Sequence, residues 1–156
     1  TMPDYAYIYP INYEYYEKRT MHKSSLSPSM YSVMGLKVGD TKNAYKYFMK
    51  TIYTDLEDNQ GNTSYGIHAA STGGSWQSAV FGFGGFSVDS DEMININPWI
   101  PENWNSLKFR IKWRNNIFLF EIFKNKIYIF SDEKTEIKVK NKIYKIEKDK
   151  KNIIKI

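Results

Sequence analysis

The stretch Thr20-Met21-His22-Lys23-Ser24-Ser25-Leu26-Ser27-Pro28-Ser29 gathers serine hydroxyls, an imidazole and an ammonium just ahead of a helix start. Unpaired backbone N–H groups and the helix dipole favour an anion at such a place, so the chemistry suggested is an oxyanion or phosphate cradle. The same residues also fit a plainer reading, in which Ser27 caps the helix and His22, Ser24 and Ser25 are surface loop. A second polar turn, Ser64-Tyr65-Gly66-Ile67-His68-Ala69-Ala70-Ser71-Thr72-Gly73-Gly74-Ser75-Trp76, also opens a helix. Its Gly-Gly pair has neither the dinucleotide nor the Walker spacing, and by itself it reads as a tight helix contact. The acid pairs Glu57/Asp58 and Asp91/Glu92 fall in solvated turns, with no sign of carboxylates opposed across a cleft, so no catalytic residue is assigned. With no cysteine and only two histidines, thiolate chemistry is excluded and no metal site is assigned.

The elements that must position these residues change character along the chain. Ser27 and Pro28 open a helix in which Met30, Val33 and Met34 repeat at helical spacing, and Gly39 ends it. Asp40 or Thr41 caps a second helix, with Ala44, Tyr45, Phe48 and Ile52 on one face, running to about Leu56. A third is expected over 69–81, rich in small residues and broken by the glycines of Gly82-Phe83-Gly84-Gly85. Tyrosines from Tyr5 to Tyr16 suggest part of another helix, interrupted by Pro10. After Gly85 the pattern becomes short alternating runs near 86–89, 92–97, 107–113, 116–123, 126–131, 134–140, 142–147 and 152–156, the mark of an antiparallel β unit. Asn97 to Trp104 is too proline-rich for a central strand and reads as an ordered crossover with Trp99 and Trp104 packed inward.

The 156 residues make about one domain's worth of chain, with 42% apolar, 17% aromatic and 25% charged side chains. That composition argues for folding rather than disorder. No run of apolar residues reaches membrane-span length and no signal peptide is visible, so the expected location is cytoplasmic. The net charge of +5 divides into −3 over residues 1–100 and +8 over the remainder. The lysines of the basic half alternate with Ile, Tyr, Phe and Val, as in Lys142-Ile143-Tyr144-Lys145-Ile146, which fits a solvated sheet face better than a nucleic-acid surface. Three clear helices in about 85 residues would leave a face uncovered, so they either pack on the sheet or end a larger helical assembly.

The segments His22-Lys23-Ser24-Ser25-Leu26-Ser27-Pro28-Ser29, Gly39-Asp40, Ala44-Tyr45-Lys46-Tyr47-Phe48, Gly66-Ile67-His68-Ala69-Ala70-Ser71, Gly73-Gly74-Ser75-Trp76 and Gly82-Phe83-Gly84-Gly85 resemble, in order and spacing, the C-terminal part of glycoside hydrolase family 65. That family comprises inverting disaccharide phosphorylases acting on maltose, trehalose, kojibiose or nigerose. The similarity runs on through Ile96-Asn97-Pro98 and Trp104 to about Ile111.

The resemblance implies an α+β chain: the last helices of an (α/α)6 barrel over residues 1–84, then a small antiparallel β-sheet domain over residues 85–156. It also implies that His22, Ser24 and Ser25, with Thr72 and Gly73 as weaker candidates, contact the inorganic phosphate that attacks the anomeric carbon. No cofactor is expected, since phosphate is a substrate; the partners are phosphate and a disaccharide or glucose 1-phosphate, with no nucleic acid and no membrane. The family's general-acid glutamate lies upstream of the phosphate loop, so the expectation is a C-terminal portion that is inactive alone, completed by an upstream chain that supplies the rest of the barrel. The family's Lys-Gln before an Asp at the sugar subsite is replaced here by Thr1-Met2-Pro3-Asp4, and the acidic residue before Gly-Ile-His by Ser64-Tyr65. A different class also fits: a non-catalytic carbohydrate-binding or interaction module, with Trp99, Trp104 or Trp113 stacking on sugar faces.

Overall fold

The computed structural model describes residues 5–156; the reading of Thr1-Met2-Pro3-Asp4 against a sugar subsite lies outside the described residues. The chain divides into two compact units, Thr1–Gly82 and Phe83–Ile156. Among the described residues the first holds four α-helices and the second two four-stranded sheets, an α+β chain. No described helix is long and apolar enough to cross a membrane.

The helical unit begins with α1 (Tyr5–Glu17), which carries Pro10 inside it. Proline withholds an N–H from the preceding turn, yet the helix continues through it. Tyr13 is the buried anchor, its hydroxyl 3.4 Å from Asp40 Oδ2. The helix α2 (Ser27–Val38) stops at Gly39, whose φ of +84° is a left-handed cap. Asp40 then caps α3 (Thr41–Leu56) by accepting from the Asn43 N–H at 3.2 Å. The last helix, α4 (Ala69–Gln77), passes into a π-helical turn, Ser78–Phe83.

The side of α2 that is buried differs from the expected apolar stripe. Met30 is exposed, while Pro28, Ser29, Ser32 and Gly35 are buried. The reason is close approach: Ser71 donates to Ser25 O at 2.7 Å and Ser78 to Ser29 O at 3.1 Å, while a Cβ on Gly74 would lie 2.5 Å from Ser29 Oγ. Small side chains let α2 and α4 meet backbone to backbone, and serine hydroxyls satisfy carbonyls across the seam. In α3 the buried face is Ala44, Tyr47, Phe48, Thr51 and Thr54, rotated from the expected Ala44, Tyr45, Phe48 and Ile52.

In the β unit, eight strands fall where the alternating runs do: β1 (Phe86–Val88), β2 (Ile94–Ile96), β3 (Leu107–Trp113), β4 (Asn116–Ile122), β5 (Lys126–Ser131), β6 (Thr135–Val139), β7 (Lys142–Ile146) and β8 (Asn152–Lys155). One sheet has the order β1-β2-β6-β7 and the other β3-β4-β5-β8. The inward residues form the core, with Phe120, Ile122, Ile127, Ile129, Ile137 and Ile146 fully buried. The unit is not wholly antiparallel. Strands β2 and β6 run parallel, pairing Asn95 with Lys138 and Ile96 with Val139. Alternation reports which face is buried but not strand direction, and β2 meets β6 only after the chain has built the second sheet's hairpins, a long crossover of the kind parallel pairs require. Between β2 and β3 the proline-rich crossover packs Trp99 and Trp104 on Phe83, ring centroids 5.9 and 4.9 Å away.

Candidate functional site

The loop between α1 and α2 is held mainly by His22. Its Nε2 lies 3.2 Å from Glu17 O and its Nδ1 2.8 Å from Ser27 Oγ. A carbonyl only accepts, so in the neutral ring Nε2–H donates to Glu17 and Nδ1 accepts the Ser27 hydroxyl proton. The ring packs beside two tyrosines that also touch each other: Tyr31 at 4.6 Å and Tyr47 at 4.7 Å between centroids, with 5.8 Å between the tyrosines. The Tyr47 hydroxyl donates to Glu17 Oε1 at 2.5 Å, and burial, then Glu17, raises its pKa above the ordinary phenol value. Lys50 Nζ donates to the His22 carbonyl.

This arrangement explains why Ser27 does not cap α2. Its hydroxyl is committed to His22, and Leu26 stands at the cap position with no side-chain hydrogen bond. Ser24 Oγ instead accepts from the Leu26 N–H at 3.1 Å, closing the loop's own turn.

The loop also meets the second candidate stretch. Through the bond from Ser71 Oγ to Ser25 O, the Ser24-Ser25 turn lies against the first turn of α4. At the head of that helix stands His68, in the cap position but without a capping side-chain bond, because its ring faces Asp55. Asp55 Oδ2 accepts from the His68 N–H at 2.8 Å, and Asp55 Oδ1 is 2.5 Å from Nδ1. The His68 side-chain hydrogen bond, with help from its backbone N–H, holds the Asp55 carboxyl below the usual carboxylate range. Asp55 is therefore a fixed carboxylate, orienting the imidazole with Nε2 turned away.

Of the residues expected to contact phosphate, Ser25 is joined through its carbonyl to Ser71, the neighbour of Thr72, while the His22 ring is taken up by Glu17, Ser27 and the tyrosines. Thr72 is exposed on α4, its N–H already bonded to His68 O at 3.1 Å and its hydroxyl 3.4 Å from the same carbonyl. Gly73 is open, with nothing within 4 Å of where a Cβ would stand, whereas Gly74 makes the tight helix contact. His68, though part of the second candidate stretch, and Asp55 are not among the expected phosphate contacts. The signal for His68 is its place immediately before the small-residue helix; Asp55 carries none, since it meets His68 only through the packing of two helices. Among the described residues no group of three or more His, Asp or Glu is placed to hold a metal ion.

Residues 6–77 match the family model described as glycosyl hydrolase family 65 central catalytic domain, and residues 88–146 match that of the family 65 C-terminal domain. A kojibiose phosphorylase of Caldanaerobacter subterraneus subsp. tengcongensis is 56% identical over 135 residues, 85% of this chain and 18% of that protein. An alpha,alpha-trehalose phosphorylase of Geobacillus stearothermophilus is 36% identical over 140 residues, 88% of this chain and 18% of that one. A solved structure named "Putative kojibiose phosphorylase from human microbiome" superposes with a TM-score of 0.83 at 36% identity, covering 92% of this chain and 21% of its own. The chain thus spans less than a fifth of the length of these curated relatives.

Proposed function

The chain belongs to glycoside hydrolase family 65, and from that premise we propose that it is the phosphate-loop and β-domain portion of a disaccharide phosphorylase, its helices closing an (α/α)6 barrel. The reaction is disaccharide plus phosphate giving glucose 1-phosphate plus the released sugar. In this reading phosphate sits at the head of α4, bound by the hydroxyls of Ser24, Ser25 and Thr72, by first-turn N–H groups and by His68 Nε2. The imidazole contact passes from His22 to His68, and His22 positions the serine loop from behind. Gly73 leaves the approach open. Serine hydroxyls and amides together hold phosphate oxygens while one oxygen points at the anomeric carbon. Asp55, kept ionised, is not the donor for the leaving glycosidic oxygen; that role falls to the family's general-acid glutamate, which lies upstream of the phosphate loop.

The observation that carries this reading is the Ser71–Ser25 hydrogen bond, which sets the serine loop against the helix start that holds His68. The test is thermal unfolding in phosphate against chloride at matched ionic strength, for wild type, Ser24→Ala and His68→Ala. Phosphate should raise the wild-type midpoint, as any ligand of the native state does, and raise it less in both variants. Identical shifts in all three would remove the cradle.

A further inference from the structure

The β unit holds a cleft of about 240 Å³ at the end of its two sheets, where the β3–β4 turn faces β2 and the start of β6. We propose that this cleft binds a single neutral sugar ring, such as glucose, at a site made entirely of β-unit residues. Its floor is apolar, from Met93, Ile94 and Phe118. Trp113 closes one side as the last residue of β3, paired with Asn116 across the hairpin. The indole is only partly covered.

A pyranose matches this combination. One of its faces is C–H and suits an indole or an apolar floor, while its hydroxyls both donate and accept. The cleft supplies both kinds of partner: the amides of Asn115 and Asn116 together with the carboxylates of Glu133 and Glu136. Its charges are largely compensated within the chain. Glu92 is paired with Arg114, and Glu133 with Lys148 at 3.1 Å. An anion would face carboxylates and an apolar floor; a polyamine would have to displace cations already in place.

The test titrates the 156-residue chain with glucose, and separately with phosphate and with spermidine, by calorimetry and indole NMR shifts. Wild type should bind glucose saturably, with a roughly millimolar Kd typical of so small a ligand. Trp113→Ala should weaken it by about tenfold, and Trp113→Phe, which keeps a ring but offers a smaller apolar face, by a few fold. Asn115→Ala, an exposed turn substitution that leaves the core untouched, should also weaken it. Lys42→Ala, on the exposed surface of α3, should leave glucose affinity unchanged. Absence of saturable glucose binding overturns the proposal. So does equal affinity in wild type, Trp113→Phe and Asn115→Ala, which would place the sugar elsewhere, and so does a Trp113 response to spermidine or phosphate but not to glucose.

Discussion

The two histidines have separate tasks that residue type alone does not distinguish. His22 stands next to the serines in sequence, and that adjacency is what suggests a phosphate contact for it. Its ring instead reaches five residues either way, to Glu17 O and Ser27 Oγ, a local bonding choice that spacing does not reveal. His68 is oriented by Asp55 from a different helix, a pairing that exists only once α3 and α4 pack. Replacing His22 with Ala should therefore lower the thermal midpoint without phosphate present, since it leaves Ser27 Oγ unpaired and opens a gap beside the Tyr31–Tyr47 pair; the cost expected is about 2–4 kcal/mol by denaturant unfolding. Asp55→Asn should leave the fold intact and weaken phosphate binding about fivefold or more, because the imidazole loses the group that fixes it. Calorimetric titration of both variants separates positioning from contact.

Among the elements, the strands are legible in the sequence because alternation over a half-buried sheet is a period-two signal carried by large side chains. The α2–α4 seam is not, because it is made by serines and glycines that hydropathy does not register. Gly74→Ala should cost about 1–3 kcal/mol, since the new methyl meets Ser29 in a seam with no spare room. Ser32, fully buried in α2, has a hydroxyl without a partner; Ser32→Ala should be neutral or stabilising by up to about 1 kcal/mol. In the β unit, Asp89 binds Lys138 Nζ at 3.0 Å and the Met93 N–H at 3.0 Å, tying the β1–β2 turn to β6. These bonds, Lys138 first, push its carboxyl down to about 2. A depressed native pKa stabilises the fold above the unfolded value of about 4 and is lost as pH falls from there toward the native value. Wild type should thus lose stability between about pH 4 and pH 2 more steeply than Asp89→Asn, as urea midpoints across that range would register.

For the whole molecule, the shift from helical spacing to alternation marks two kinds of structure, and the family's ordered motifs name their common origin. What the sequence does not convey is the connection between the sheets. The β1–β2 arm pairs with β6, and Ile96↔Val139 closes over everything from the tryptophan crossover to the β5–β6 turn. Gly85 secures the same arm: its φ is +61°, and a Cβ there would run into the backbone of Asn97. Gly85→Ala should accordingly destabilise the β unit by at least about 2–3 kcal/mol, seen as an early loss of the aromatic near-UV signal.

The parallel closure also orders events during synthesis. While the ribosome is still making β3 to β5, the edge of β2 that will receive β6 has no partner, and an unpaired strand edge is an invitation to intermolecular pairing. The second sheet's hairpins are local and form first; the first sheet waits for the longest contact, which slows its completion. Nascent chains stalled with Thr135 to Val139 still inside the ribosomal tunnel should therefore be protease-sensitive around Phe86–Ile96 and prone to aggregate, and stalling on a C-terminal extension that brings β6 outside should abolish both behaviours together.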